Sequence, residues 1–465
     1  MKKMMKLSKQ GLLIFFFLIR LGCIAKADYQ EAITMSAIEQ DALYTVMDSM
    51  AGGIDWKMLH PHPCSEDVWP GLVCEQGDDG LFHVTRLDFG YRPNPACMRN
   101  ASVPAAIANL THLRSLFIFE CFSTFNTTIP ISLVKLAPTL KELSLRTNSA
   151  LVGTIPIELS NLSALQLLSL SQNGLSGRIP VQLSKLTALQ HLDLSDNRLS
   201  GEVPHELGTL HNLIILDLSV NLINGPMPSS LGNLAMLQKL DLSFNSLRGT
   251  LPPKLGNLRR LQFLALNDNM LSGPYPAEMA GMVGLQYLIL DNNPMRTTLP
   301  SFLNAYKGLM ALSLSNSGYY GVIPDAYGEL KNLTVLSLER NYLTGSIPSG
   351  LGKLFHIYQL NLSLNNLSGA IPFTQDFVQK LGRNLDLSGN TGLCSQWAMV
   401  QWVSKPTGGL PLCSSSSSSS SSSNPKISSL STSFAAPMIR GKIITFSSST
   451  ICIVFTVILL QYFYD

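Results

Sequence analysis

Asparagine stands at positions 173, 197, 221, 245, 269 and 293, each 24 residues after the last. Ser317 interrupts the series, and Asn341 and Asn365 resume it in register. Around each asparagine the apolar residues keep one spacing. Leu189, Leu192, Leu194, Leu199, Val203, Leu207 and Leu210 surround Asn197, with Gly201 and Pro204 between them. One such unit cannot bury its own apolar face, so successive units must stack and share a continuous core. The period therefore predicts a solenoid rather than the two or three ordinary domains that 465 residues would otherwise allow.

Within each unit the L-x-L step predicts a short strand of one parallel sheet. The asparagine that follows is expected to turn inward and pair backbone groups at the bend, which would otherwise be buried without partners at about 1–3 kcal/mol each. The glycines permit tight turns. This is the leucine-rich repeat pattern, and the expected fold is an α/β solenoid with a parallel sheet on its concave face. Apolar residues make up 46% of the chain and charged residues 14%, enough to fill a long core. The net charge of +3, from 33 Lys and Arg against 30 Asp and Glu, gives no basic excess of the kind nucleic-acid binders carry.

The two ends read differently. Residues 1–27 have the form of a secretory signal: Lys2, Lys3, Lys6 and Lys9 precede an apolar run at 11–19, and Ala25-Lys26-Ala27 offers a cleavage site. A signal anchor is the alternative, but the run is short and Arg20 ends it. Residues 28–112 are expected to cap the first open end. Residues 28 to about 60 show helix-like spacing of Ile38, Leu43, Val46, Met47 and Met50, Trp69 is expected to pack over the first repeat, and Val84 to Phe89 alternate as the first rung. Six cysteines flank the array, and proximity favours Cys64 with Cys74, Cys97 with Cys121 and Cys394 with Cys413, because the ends of a solenoid cannot meet. A metal reading of His60, His62 and Cys64 is outweighed by the intervening prolines and the secretory setting.

Residues 113–393 hold about 11 repeats, and 394–413 form a C-terminal cap. The element G-x-I-P, as in Gly177-Arg178-Ile179-Pro180 and Gly345-Ser346-Ile347-Pro348, makes the array resemble the plant-specific leucine-rich repeats of receptor kinases and receptor-like proteins. Trp69, Pro70, Gly71 and Cys74 at one end, and Asn384 through Cys394 at the other, are similar to that family's caps. Glu39 to Tyr44 and the pair Cys97 and Cys121 carry a narrower likeness, to the small branch of receptor-like proteins that includes TOO MANY MOUTHS and the Piriformospora indica-insensitive proteins. The resemblance implies a superhelix with disulfide-bonded caps. It also implies a cell-surface protein that binds an extracellular peptide or protein and signals through a leucine-rich repeat receptor kinase as co-receptor.

Ten consecutive serines open the segment 414–442, which cannot bury apolar area and reads as a stalk. Residues 443–465 are an apolar segment expected to hold the protein on the outer face of the plasma membrane. Two anchors fit, a transmembrane helix or a glycolipid-attachment signal. Arg440 and Lys442 on the outer side disfavour the plain helix. Soluble wall-associated inhibitors of the polygalacturonase-inhibitor type use the same repeats and are the alternative reading, but they lack such a tail.

No nucleophile elbow, zincin, phosphate-loop or dinucleotide motif occurs, and no cofactor or metal is expected. The 52 residues after Cys413 (465 − 413) are too few for a kinase domain, so an enzyme is not expected. Function should lie on the outward side chains of the strand rows. Asp193, Asp217 and Asp241 form a column, followed by Phe244, Phe263, Asp268, Tyr287, Ile289 and Asp291. Exposed aromatics rimmed by carboxylates would suit a basic peptide. Leu-Asp-Leu-Ser is also a common filler of this repeat, and for the aspartates that reading is preferred. Sequons at Asn100, Asn109, Asn126, Asn161, Asn332, Asn361 and Asn366 mark candidate glycan sites. Two units depart from the pattern, one with Thr297 where others have glycine and the next with Ser317.

Overall fold

The computed structural model describes residues 34–65, 68–397 and 410–413. The expected signal, stalk and anchor segments lie outside the described residues, and among these no helix is long and apolar enough to cross a membrane.

Helix α1 (Ala37–Ala51) begins at Ser36, whose hydroxyl accepts the Glu39 N–H at 3.2 Å. Leu43, Val46, Met47 and Met50 are fully buried against the first rungs, whereas Ile38, expected on the same face, points to solvent at 73% exposure. The expected long helix is broken: the chain leaves α1 at Gly52 and forms a separate turn, α2 (Trp56–Leu59). Trp69 does bury here, its ring 5.1 Å from Trp56 and 5.0 Å from His60. Strand β1 (Leu72–Gln76) pairs antiparallel with β2 (Phe82–Phe89), so a hairpin precedes the first parallel rung.

From β2 onward every step of the long sheet is parallel and in chain order, ending at Leu385–Asp386 in a sheet of 14 strands. The first leucine of the L-x-L step stacks from rung to rung: Leu192, Leu216, Leu240, Leu264, Leu288, Leu312 and Leu336 are register partners in sequence, each fully buried. Each buried leucine side chain contributes about 1.5–3 kcal/mol, and this is one of several such columns in a core that runs the length of the array. The helical element of each unit is a single 3₁₀ turn such as Val181–Lys185, begun by a proline whose fixed φ suits the position. Where Gly201 takes φ +84°, a second, outer strand (Arg198–Gly201) closes the unit. These outer strands form a six-stranded sheet ending at Met270–Leu271 and, further on, a four-stranded sheet beginning at Tyr320–Val322.

The asparagine ladder behaves as expected. Asn221 Oδ1 accepts the Leu199 N–H at 3.0 Å, while its Nδ2 donates to the carbonyls of Leu194, Leu218 and Ser219. The break at Ser317 has a cause one rung earlier. In a regular unit, the ladder oxygen accepts the N–H two residues past the preceding asparagine. Past Asn293 that group belongs to Met295, and the turn at Pro294 sends it to the Asn293 carbonyl at 2.8 Å. The usual donor is thus turned away from position 317, which keeps only the Asn293 N–H. Ser317 Oγ instead lies 3.1 Å from the Leu290 carbonyl and 2.9 Å from that of Ser315, and it accepts the Asn293 N–H at 3.2 Å.

The three disulfides are Cys64–Cys74, Cys97–Cys121 and Cys394–Cys413, as proximity predicts. Cys64 is thereby removed from any metal site with His60 and His62. At the far end helix α3 (Gln375–Leu381), begun at Thr374 whose hydroxyl accepts the Phe377 N–H, stands where the other units have their 3₁₀ turn, just before the last rung.

Candidate functional site: the outward face of the long sheet

Two side-chain columns of each strand point away from the core. The first runs Glu142, Leu167, His191, Ile215, Lys239, Phe263, Tyr287, Ala311, Val335 and Gln359. The second runs Ser169, Asp193, Asp217, Asp241, Ala265, Ile289, Ser313, Ser337, Asn361 and Asp386. The expected aspartate column is therefore real. Its chemistry is largely local, because each Oδ1 of Asp193, Asp217 and Asp241 accepts both the hydroxyl, at 2.6 Å, and the N–H of the serine two residues on. Leu-Asp-Leu-Ser is a self-closing clip at the strand end.

The other carboxylate oxygens differ by rung. Asp193 Oδ2 accepts from Ser169 Oγ at 3.1 Å, and Asp217 Oδ2 accepts from Lys239 Nζ at 2.8 Å. Asp217 is 9% and Asp241 3% exposed, so these two are not the solvated rim expected of them. The long side chains of neighbouring rungs lie across them. Burial, then the nearby charge of Asp217, pushes the Asp241 carboxyl up to about 6. Burial alone would pull Lys239 down, but Asp217 and Asp241 outweigh it and hold the ammonium above its usual value.

Phe263 also departs from expectation. It is 8% exposed rather than an open anchor, because Lys239 Nζ sits 5.6 Å from its ring centroid on one side and Tyr287 packs at 6.0 Å on the other. The open apolar surface passes to the half-buried Tyr287 and Ile289. Phe244 stands outside the columns, at a turn position with φ +52°, half-buried. Asp268 occupies the same turn position one unit later, its carboxylate taken by the amides of Asn267 at 2.8 Å and Asn292 at 2.9 Å. Asp291 accepts from Ser313 Oγ at 2.8 Å and from the Ser315 N–H, and burial nevertheless raises its carboxyl to about 6. The structure thus gathers Lys239, Phe263, Tyr287 and Ile289 with Asp217 and Asp241 into one patch. Lys239 is the member that sequence reasoning missed; a lysine between two strand aspartates was the available signal.

Asn100, Asn109, Asn126, Asn161, Asn332 and Asn366 are exposed. Asn361 lies on the outward face, half-buried, with its amide bonded to Glu339 and Ser363.

Comparison with known proteins agrees with this architecture. Leucine rich repeat families match residues 138–199, 212–234, 236–258 and 332–354. The chain is 44% identical to receptor like protein 29 of Arabidopsis thaliana over 164 residues, 35% of this chain and 35% of that protein. It is 40% identical to the TOO MANY MOUTHS protein of the same plant over 134 residues, 28% and 26% of the two chains. It is 35% identical to that plant's Piriformospora indica-insensitive protein 2 over 157 residues, 32% and 35%. The matched stretches thus span about a third or less of these curated relatives. Among solved structures it is similar to PEPR1 in PEPR1-AtPEP1, with TM-score 0.63 and 29% identity over 77% of this chain and 51% of that one. It is also similar to the plant peptide hormone receptor RGFR1, solved with RGF2, with TM-score 0.58 and 30% identity over 63% and 50%. The rung register, the asparagine ladder and the outer strands make the fold a leucine-rich repeat solenoid, and about a third of the chain is similar in sequence to receptor-like proteins of Arabidopsis thaliana.

Proposed function

We infer that this protein is a cell-surface, receptor-like protein that binds an extracellular peptide or protein across the outward face of its long sheet. The observation that carries the reading is the patch at the middle rungs. Tyr287 and Ile289 offer apolar contact beside Lys239, Asp217 and Asp241, so a ligand can bury an apolar side chain while charges fix its orientation. The likeness to the solved structures of PEPR1-AtPEP1 and of the peptide hormone receptor RGFR1 with RGF2 supports a peptide as the ligand class. The kinship with receptor-like proteins supports signalling through a kinase-bearing co-receptor and residence at the plasma membrane. A glycan on Asn361 would occupy the sheet face near its end and leave the middle rungs for the ligand.

The test is a screen of a secreted-peptide library against the full-length chain displayed on cells, followed by variants. Tyr287→Ala and Ile289→Ala are expected to weaken the selected peptide at least tenfold at unchanged surface level. Unchanged affinity in both removes this patch as the binding surface.

A further inference from the structure

The two irregular units leave a breach in the outer sheet. The first outer sheet stops at Met270–Leu271 and the second starts at Tyr320–Val322. The unit between them supplies no outer strand, because Thr297 stands where the turn glycine belongs; among the described residues it keeps one β-bridge, Thr298 to Tyr320, and scattered backbone bonds such as Gly273 N–H to the Met295 carbonyl. A cleft of about 360 Å³ opens here, lined among others by Asn292, Arg296, Asn316, Gly318, Arg340 and Tyr342.

Its chemistry is cationic and aromatic. Arg296 and Arg340 are exposed, and among the described residues neither guanidinium forms an ion pair. The neighbouring carboxylates are engaged elsewhere: Asp268 accepts from Asn267 and Asn292, and Glu339 accepts from Asn361. Both arginines sit at left-handed backbone positions, φ +46° and +55°, and the Arg296 N–H is fixed to the Ser317 carbonyl at 3.2 Å. Asn316 donates to Asn292, and Asn292 donates to Asp268, a relay that stiffens the floor. Beside the arginines Tyr342 is 66% and Tyr320 51% exposed; the two are register partners on an outer sheet whose first strand has no full neighbour on the cleft side.

We propose that this cleft is a docking site for an extended acidic peptide segment, with a carboxylate held between Arg296 and Arg340 and an adjacent apolar side chain against Tyr342 and Tyr320. Two unpaired guanidiniums complement a carboxylate in fork geometry. The open strand edge beside them favours a peptide backbone as the carrier. The site lies off the sheet face; it rests on the receptor reading for the ligand being a peptide, and not for where that ligand's apolar anchor binds.

The experiment uses the full-length chain and two photo-crosslinking peptides, Ac-Phe-Glu-photoleucine-Asp-NH2 and its neutral counterpart Ac-Phe-Gln-photoleucine-Asn-NH2, with adducts mapped by mass spectrometry. The acidic peptide is expected to label residues 292–342 at least fivefold more than the neutral one. Arg296→Gln with Arg340→Gln should abolish that excess at unchanged melting temperature, and Tyr287→Ala should leave it intact. Equal labelling by the two peptides, or labelling indifferent to both arginines, overturns the proposal. So does displacement of the acidic peptide by trigalacturonate but not by excess unlabelled acidic peptide, which would assign the cleft to acidic saccharides. Loss of library-peptide binding in Tyr287→Ala while cleft labelling persists separates this site from the sheet-face patch.

Discussion

Lys239 Nζ lies 2.8 Å from Asp217 Oδ2, one rung back along the long sheet, and 5.6 Å from the Phe263 ring one rung forward. One lysine therefore neutralises a buried aspartate pair and roofs the aromatic that would otherwise be open. Lys239→Met removes the counter-charge but keeps the stem. Above pH 6 we expect a loss of about 2–4 kcal/mol, since uncompensated buried carboxylates are costly. At pH 5 the loss should shrink, because Asp241, raised to about 6, takes up a proton. Thermal unfolding at pH 5 and pH 7.5 checks the difference; equal losses would contradict it.

Asp291 gives a second pH signature. Its carboxyl is raised to about 6 in the folded chain against an ordinary value near 3.8, so the native state holds the proton more tightly. Its contribution is present below about pH 4 and lost as pH rises through 6. Asp291→Asn should flatten the stability profile between pH 5 and 7.5 by removing that slope. A profile as steep as the parent's would show that the slope arises elsewhere.

The N-terminal cap has the opposite ionic type and the same acid preference. Burial pulls the His83 imidazole down, but hydrogen bonds to Glu39 at 2.8 Å and to Asp79 at 3.1 Å outweigh it and hold it above its usual value. Glu39 also accepts the Val84 N–H at 2.8 Å, tying α1 to β2. A raised histidine stabilises below its unfolded value of about 6.5 and loses that contribution as pH rises through the folded value. His83→Gln is expected to cost about 2 kcal/mol at pH 5 and less at pH 8. Amide exchange of α1, followed against pH, reads this directly.

Asn221→Ala leaves the Leu199 N–H and the carbonyls of Leu194, Leu218 and Ser219 without their side-chain partner in a buried turn. The expected loss is about 3–5 kcal/mol. In a solenoid it should appear first as faster exchange in the adjoining rungs. Protection unchanged at Leu199 would argue against the ladder's role.

Ser317→Asn restores the repeat consensus, and a consensus argument forecasts a gain. The structure forecasts a loss of about 1 kcal/mol, because Met295, the usual donor, already donates to the Asn293 carbonyl, and the bulkier amide would be buried with the Asn293 N–H as its one backbone donor. A higher melting temperature would refute this.

The sequence by itself determined the coil. A fixed 24-residue period repeats the same local problem, an L-x-L strand, a turn whose carbonyls need an amide, a proline-started 3₁₀ turn, and each unit solves it against its neighbour at constant offset. For the same reason the columns of the outward face, Asp193, Asp217 and Asp241 among them, could be placed in order before any coordinates, as could the cystines at the two ends.

What the tertiary structure decided is how exposed each face residue is and which partners it keeps. Phe263 looks like an open anchor in one dimension; Lys239 and Tyr287, 24 residues away on either side, cover it. The aspartates look like a charged rim, and the serine clips and Lys239 turn them inward. The irregular units could be seen in the sequence, but their consequence could not. Pro294 redirects one N–H, Ser317 follows from it, and Thr297 opens the outer sheet. Period fixes backbone pairing because it depends on position alone. Burial and pairing depend on side-chain size and charge summed over three adjoining rungs, and that sum exists only once the rungs are stacked.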